Sequence, residues 1–314
     1  MTTPATAPTT APIERGLTGT LSPEEYTTKA PPHWGETYPP IAGYGNMDYV
    51  CVAFATDADK AAALIPKELE LIAIPGLPGQ SAVNLVFAKY RECDLGPYME
   101  VIVSFPVSHK GQVYGFITGI YVDNDAALLA GRELGGYPKK MAHITMRNYG
   151  NLFLSHMSRG SIQQKTQDPN FNDLASTSVT RGHKLFSVPL PATETPALPS
   201  PYNLLLPLPA PTGEPQEYVI PTAALRRVPG IGPGPDGAAG ADVLQLVGTP
   251  WHVTRADFFA ADAADLEIYS SKEDPLAQLL PCNAVLGAFI LRGDMYTKSA
   301  EWILIEDLKK NNAT

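Results

Sequence analysis

The residues with the clearest chemical potential are two adjacent lysines, Lys139 and Lys140, which follow a Gly-Gly-Tyr-Pro run over residues 135–138. A lysine amine attacks a ketone only in its neutral form, and a free lysine is neutral in about one molecule in 2,500 at pH 7. Pro138 fixes its own φ immediately before Lys139 and so favours one direction for the chain. A solvated lysine pair in a surface loop is the simpler interpretation of composition alone.

Glu100 is the second candidate, because it lies in a segment with strand periodicity over residues 98–107. In an extended chain, Tyr98 and Glu100 share one face with residues 102 and 104, while the apolar residues at odd positions share the other. A lone carboxylate on such a strand either pairs with a cation or faces a polar cavity. The residues alone leave both possibilities open.

The elements around these residues indicate a mainly β protein. Strands are predicted over residues 49–55, 82–90, 98–107, 113–122, 143–146, 152–157, 176–188, 243–247 and 266–269. Helices are predicted over residues 58–65, 125–134 and 299–309. Because the strands follow one another without regularly alternating helices, the predicted fold class is α+β, mainly antiparallel β with a few short helices.

Proline is concentrated in two stretches, with eight of the 31 prolines in residues 1–40 and thirteen in residues 189–235. We therefore predict a Pro-rich N-terminal extension over residues 1–42. A single domain is predicted over residues 43–308, with a Pro/Gly-rich loop region over residues 189–240 inside it. Residues 309–314 are predicted to form a short tail.

Composition excludes several classes of function. A net charge of −9 without a cluster of Lys and Arg argues against a nucleic-acid partner. The chain shows neither a secretory signal nor a long apolar stretch free of prolines, so we expect a cytoplasmic protein with no membrane partner. Three cysteines far apart fit free thiols in a reducing compartment. The six histidines lack metal-ligand spacing, so no metal is expected.

Residues 122–142 closely resemble the signature of the acetoacetate decarboxylase family. In that signature Asp-Asn, Gly-Arg-Glu and Tyr-Pro-Lys-Lys recur at the spacing found here, where they begin at residues 123, 131 and 137. Weaker similarity extends over roughly residues 45–295. The resemblance implies the fold of that family, a β-barrel or cone, and a homo-oligomer that acts as a cofactor-independent carbon–carbon lyase on a small keto substrate.

The resemblance also implies roles for individual residues. Lys139 is then the lysine that forms a Schiff base with the substrate, and Glu100 is a proton donor or positioning group. Pro138 and Lys140 are supporting residues. We expect apolar surroundings to keep the Lys139 amine neutral and Lys140, on the opposite face of an extended segment, to form a structural ion pair. The predicted substrate-binding residues are Tyr98, Tyr137 and Met47.

One departure from the family pattern bears on the substrate. Met47 stands where acetoacetate decarboxylases carry an arginine associated with the substrate carboxylate, and Arg91 or Arg147 could supply a replacement cation. Decarboxylation of a β-keto acid is the first prediction. The alternatives are a Schiff-base aldolase or dehydratase on a larger, polyketide-like ketone of secondary metabolism, and a non-catalytic small-molecule binding protein. No cofactor is expected, because an iminium ion itself acts as the electron sink.

Overall fold

The computed structural model describes residues 41–133, 135–160, 171–233, 239–271 and 274–311. The predicted N-terminal extension therefore lies almost entirely outside the described residues, as does the end of the predicted tail. None of the described helices is long and apolar enough to span a membrane.

The described strands all belong to one sheet. They are β1 (Ile41–Asp57), β2 (Glu70–Leu71), β3 (Gln80–Tyr90), β4 (Glu92–Cys93), β5 (Tyr98–His109), β6 (Gln112–Val122), β7 (Lys139–Met141), β8 (His143–Tyr149), β9 (Leu152–Gly160), β10 (Phe171–Val188), β11 (Tyr218–Ile220), β12 (Thr222–Pro233), β13 (Ala239–Gly248), β14 (Trp251–Ile268), β15 (Ala284–Lys298) and β16 (Ile303–Asp307). The helices are α1 (Ala58–Ala62), α2 (Asp125–Glu133), α3 (Tyr202–Leu205), α4 (Leu276–Leu279) and α5 (Leu308–Asn311), with a 3-10 turn at Ser299–Glu301.

The main path through the sheet runs β16-β13-β12-β6-β5-β3-β1-β15-β14-β10-β9-β8, and β2, β4, β7 and β11 pair at its sides. Almost all neighbours are antiparallel, and the parallel pairs among the described strands are β6 with β7 and β6 with β12. The predicted fold class is therefore confirmed. Each predicted strand overlaps an observed one, whereas β15 and most of β14 were not predicted.

The closing helix predicted over residues 299–309 is wrong. The structure has a 3-10 turn, then strand β16, and only then the short helix α5. Strand β16 pairs antiparallel with β13, which otherwise would end the sheet. A Cβ added to Gly248 on β13 would meet Ile303 and Ile305 at 3.0–3.4 Å, so these two side chains lie directly over the glycine. Pairing with a neighbouring strand therefore overrides the local helix propensity of this segment.

The loop region predicted over residues 189–240 is wrong in its second half. After α3 the chain continues without strands to residue 217 and then forms strands β11 and β12. Ala223 and Ala224 of β12 are fully buried and lie beside β6 in a parallel pair. Pro229 and Pro233 lie at register shifts of the β12–β13 pair, where a missing N–H is tolerated.

The described core contains three apolar clusters, and alternation along the central strands separates two of them. On β3, Val86, Ala88 and Tyr90 contribute to one cluster, while the alternate residues Leu85 and Phe87 contribute to the other. This is the two-residue period of a strand whose two faces are both covered by apolar side chains. The first cluster also contains Tyr98 of β5 and Tyr137, and it surrounds the candidate site.

Candidate active site

Strand β7 presents Lys139 to the interior. It pairs in parallel with β6, so that Lys139 lies beside Ile120, and the Ile120 N–H donates to the Pro138 carbonyl at 3.3 Å. Lys139 is only 5% exposed. The next residue, Lys140, is exposed, because successive side chains of a strand point to opposite faces.

Helix α2 supports the side chain of Lys139. The Asn124 side chain accepts a hydrogen bond from the Ala127 N–H at 2.8 Å and so caps the start of this helix. A Cβ added to Gly131 would lie 2.4 Å from Lys139 Cε, so the lysine stem packs directly on the helix backbone. Arg132 Nη1 donates to the Lys139 carbonyl at 3.0 Å. The Gly-Arg pair therefore fixes both the side chain and the main chain of the lysine.

Lys139 forms a buried ion pair with Glu100 of β5. The distance from Lys139 Nζ to Glu100 Oε2 is 2.6 Å, and Glu100 is 1% exposed. The Tyr90 hydroxyl donates to the other carboxylate oxygen at 3.4 Å. Nζ also lies 5.7 Å from the ring centroid of Tyr98 and 5.9 Å from that of Tyr137. The amine is thus held among one carboxylate and aromatic rings.

The tyrosine hydroxyls next to this pair remain protonated. Burial raises the pKa of Tyr90 and Tyr98 well above the usual range, and the negative charge of Glu100 raises both pKa values further. A protonated Tyr90 hydroxyl can only donate to the carboxylate, which fixes the orientation of Glu100.

A cavity of about 110 Å³ opens beside Lys139 and Glu100. These two residues are the only charged groups among the described residues that line it. Most of the other lining residues are aliphatic or aromatic. They come from several strands of the sheet and, in the case of Leu205 and Leu206, from the end of helix α3. They include Tyr49, Cys51, Val86, Tyr90, Ile102, Ile117, Ile120, Tyr137, Leu205, Leu206, Tyr218, Ile220, Trp251, Phe289 and Met295.

The structure brings together only some of the predicted site residues. Lys139, Glu100 and Tyr137 line the cavity, whereas Tyr98 lies behind it against Tyr90, with 4.8 Å between the ring centroids. Met47 does not line the cavity. Its side chain is buried in the core, just after a register shift in the β1–β15 pair.

Lys140 belongs to a separate cluster on the outer side of β7. Its ammonium pairs with Asp274, and Arg159 of β9 pairs with the same carboxylate at 2.6 Å. Burial raises the pKa of Asp274, but the hydrogen bonds and charges of Lys140 and Arg159 outweigh burial and hold that pKa below its usual range. The carboxylate thus joins β7, β9 and the segment before α4.

Neither arginine considered as a substitute cation reaches the cavity. Arg91 donates to Asp48 and, at 2.7 Å, to the Asn46 carbonyl. Arg147 lies exposed on strand β8. Among the described residues, the cavity therefore contains no cation besides Lys139 that could bind a carboxylate.

Sequence reasoning missed the residues that form the far wall. Trp251 and Tyr218 lie on neighbouring strands, and the Tyr137 hydroxyl links to this wall by donating to Thr249 Oγ1 at 2.5 Å and accepting from Trp251 Nε1 at 3.1 Å. These residues lie 80 or more positions after Tyr137, so no local spacing indicates their proximity. Phe289 of β15 was missed for the same reason.

The arrangement suits chemistry at a carbonyl group. A buried amine within hydrogen-bond distance of a carboxylate can attack a carbonyl carbon, and the carboxylate can then deliver or accept protons. The described residues contain no group of three or more His, Cys, Asp or Glu side chains that could hold a metal ion.

The same fold occurs in solved structures. The chain superposes on a structure of acetoacetate decarboxylase with a TM-score of 0.65 and 18% identity, covering 91% of this chain and 99% of that one. It also superposes on the enduracididine biosynthesis enzyme MppR bound to pyruvate, with a TM-score of 0.60 and 16% identity, covering 92% of this chain and 96% of the other.

Sequence comparison gives the family. A curated relative, the acetoacetate decarboxylase of Paraburkholderia phytofirmans, is 28% identical over 122 residues, which are 38% of this chain and 46% of the relative. The alignment thus spans about half the length of that relative. The family model described as acetoacetate decarboxylase (ADC) matches residues 26–303, which is most of the chain. The chain therefore belongs to the acetoacetate decarboxylase family.

Proposed function

We propose that this protein is a cofactor-independent lyase that forms a Schiff base between Lys139 and a keto substrate. The observation that carries the proposal is the buried contact of 2.6 Å between Lys139 Nζ and Glu100 Oε2 at the wall of a largely apolar cavity. A purely structural role would leave unexplained why an ion pair, which is costly to desolvate, lines an accessible cavity.

The first half of the reaction uses this pair. A proton moves from Lys139 Nζ to Glu100, which leaves a neutral amine and a neutral acid. The amine attacks the carbonyl carbon, and protonation by Glu100 lets the former carbonyl oxygen leave as water. The product is an iminium ion on Lys139 that is paired with the Glu100 carboxylate.

Decarboxylation of a β-keto acid is the first candidate for the second half. The bond from the α-carbon to the carboxylate breaks, carbon dioxide leaves, and the electron pair forms a neutral enamine with the iminium nitrogen. A proton from solvent, delivered by Glu100, then adds to the α-carbon, and water hydrolyses the imine. The apolar walls favour this step, because charge is lost from a poorly solvated carboxylate as the bond breaks.

An aldol or dehydration reaction on an uncharged ketone is the second candidate. It is favoured by one specific observation, which is that the described lining residues offer no cation besides Lys139. A substrate carboxylate would therefore compete with Glu100 for the iminium ion. The structural neighbour MppR has been solved with the condensation product of pyruvate and imidazole 4-carboxaldehyde, which supports carbonyl condensation as a chemistry for this fold.

A turnover assay separates the two candidates. Purified protein is incubated with β-keto acids and, separately, with β-hydroxy ketones, while carbon dioxide release, aldehyde release and dehydration are followed. Lys139→Met should abolish turnover, while the control Lys110→Met, which changes an exposed lysine on the β5–β6 turn, should retain it. Turnover that survives in Lys139→Met would overturn the proposal.

The proposal includes the setting of the enzyme. We propose that it acts in the cytoplasm as a homo-oligomer, with a small keto compound as its substrate partner. Membership of the family supports the substrate class. Light scattering after size-exclusion chromatography tests the oligomer, and a monomeric mass at micromolar concentration would contradict it.

A further inference from the structure

The cavity faces of β3 and β5 form a short ladder of side-chain pairs. Residues directly opposite each other are Ala88 with Glu100, Val86 with Ile102, and Asn84 with Ser104. Of these, Glu100, Val86, Ile102, Asn84 and Ser104 line the cavity. The ladder therefore begins at the reactive pair, continues through an apolar pair and ends in a polar pair.

The polar pair at the end of the ladder has unused hydrogen-bonding capacity. Neither the amide of Asn84 nor the hydroxyl of Ser104 makes a hydrogen bond to any described residue. Ser104 is 9% exposed and Asn84 is partly buried, and both border the cavity. Buried polar groups normally have hydrogen-bond partners, so a molecule bound in the cavity is the natural candidate for the partner of Asn84 and Ser104.

The distance between the two polar ends sets a length for that occupant. Glu100 and Ser104 are four residues apart on one strand, which corresponds to about 13 Å between their Cα atoms. The space between them is bordered by Val86 and Ile102, and Ile117 and Ile120 of β6 add to it. An occupant that spans both ends therefore has an apolar middle.

Charge defines the chemistry of the distal end. No charged side chain among the described lining residues lies beyond the Lys139–Glu100 pair. An amide and a hydroxyl can each donate and accept hydrogen bonds, so they suit a hydroxyl, carbonyl or carboxamide group. A carboxylate or phosphate at this end would be buried without a counter-ion, which is costly.

We propose that Asn84 and Ser104 form a distal subsite that selects keto substrates carrying an uncharged hydrogen-bonding group, separated from the reactive ketone by an apolar spacer. The inference rests on the proposed function of Lys139, since it takes the ketone to lie at that residue. It adds a substrate class, the hydroxy-, oxo- or carboxamide-ketones, and it excludes substrates with a charged distal group.

The test uses borohydride reduction to trap ketones on Lys139. The probes are straight-chain methyl ketones of increasing length, the matching ketones with a terminal hydroxyl, and those with a terminal carboxylate. In the wild-type protein, the terminal hydroxyl should lower the half-saturating concentration about three- to tenfold at one chain length, as expected for one or two net hydrogen bonds. A terminal carboxylate on a ketone of the same chain length should raise the half-saturating concentration.

Variants assign the effect to the subsite. Asn84→Leu, similar in size, and Ser104→Ala should each reduce or remove the advantage of the hydroxyl, which is measured in each variant as the ratio of the half-saturating concentrations of the plain and the hydroxy ketone of one length. The control Asn148→Ala changes an exposed residue of β8 and should behave as wild type. Three results would overturn the inference. The terminal hydroxyl could fail to improve trapping at any chain length, or its advantage could persist in both variants. The ketones with a terminal carboxylate could also be trapped as well as those with a terminal hydroxyl.

A second measurement separates this inference from the proposed function. If no ketone is trapped on Lys139, the proposed function fails, and the same probes are then compared by saturation-transfer NMR without borohydride. Preferential binding of the hydroxy ketones that Asn84→Leu abolishes would still support the distal subsite. Equal binding of plain and hydroxy ketones would overturn it.

Discussion

At the scale of single residues, the Lys139–Glu100 pair combines two requirements that usually conflict. The proposed reaction requires a buried amine, yet an isolated buried charge is strongly unfavourable. The distance of 2.6 Å between Lys139 Nζ and Glu100 Oε2 gives each buried charge a partner of opposite sign. The Tyr90 hydroxyl then holds the carboxylate in place.

Replacing Glu100 by glutamine tests the role of the carboxylate. Glu100→Gln keeps the size of the side chain but removes its ability to accept and return a proton. We expect turnover to fall by about a hundredfold to ten-thousandfold, the usual contribution of a positioned acid–base group. Steady-state kinetics with the best substrate measure the effect.

The matched control is Glu92→Gln, which changes an exposed carboxylate on β4 that lies outside the cavity. It should retain activity within about twofold, as is usual for surface substitutions. If Glu100→Gln were as active as this control, proton transfer by Glu100 would be ruled out.

At the scale of elements, helix α2 and strand β7 act as one unit. The helix presents Gly131 where the lysine stem crosses it, and a positive φ of 69° at Gly136 turns the chain toward β7. A Cβ at Gly136 would also lie 2.4 Å from the Arg226 main chain, so the turn passes close to β12. The orientation of Lys139 thus depends on one glycine in helix α2 and one in the segment that connects the helix to β7.

Gly131→Ala tests this dependence. In an ordinary helix the change would stabilise the protein by about 1 kcal/mol, because glycine is a poor helix former. Here the new methyl group would overlap Lys139 Cε, so we expect the ammonium to leave Glu100 and borohydride trapping to fall at least tenfold. Circular dichroism should show that the fold is retained. A variant that is more stable and traps ketones normally would contradict the packing described.

Asp274 links three elements, and its removal tests what this link contributes. Asp274→Asn deprives Lys140 and Arg159 of their shared carboxylate, and we expect a loss of about 1–3 kcal/mol in the free energy of unfolding at pH 7. The pKa of Asp274 is lowered in the folded state. Its contribution is therefore fully present above the unfolded pKa near 3.9 and is lost as the pH falls through the lower folded pKa.

Urea denaturation of wild type and variant across this pH range measures the difference, which should shrink below about pH 4. Asp257→Asn is the control. The pKa of Asp257 is also lowered, chiefly by its hydrogen bond with Ser187. Its side chain, however, is 45% exposed where it pairs with Lys184. This substitution should cost less than about 1 kcal/mol. Equal losses in the two variants would show that the buried link has no special role.

Sequence periodicity predicts much of the site at this scale, but not its irregularities. The alternation of β5 correctly groups Glu100 with residues 102 and 104 on one face. On β6, however, Ile117 and Ile120 both line the cavity although they are three residues apart. The register shift beside Val103 and Ser104 leaves Thr118 unpaired and reverses the alternation. Gly119, next to Thr118, is a local signal of this bulge, because an isolated glycine inside a strand often marks one.

At the scale of the whole molecule, the cavity results from the long-range order of the sheet. Strands β3, β5 and β6 are neighbours in sequence and in space, so the wall that carries Glu100 follows from local patterns. The opposite wall comes from β11, β14 and β15, which lie more than 90 residues further along. The sequence predicts Lys139 through a family signature and Glu100 through strand periodicity and the wider family resemblance, but it contains no comparable pattern for the residues that shape the cavity.

The central claim is that Lys139 forms a covalent imine, and borohydride trapping followed by peptide mass mapping tests it most directly. Wild-type protein incubated with a small ketone and borohydride should carry one reduced adduct on the peptide that contains Lys139. Lys139→Met should carry none at that peptide, while Lys110→Met should be labelled as wild type. Absence of the adduct with every ketone tried, or an adduct only at other lysines, would contradict the account.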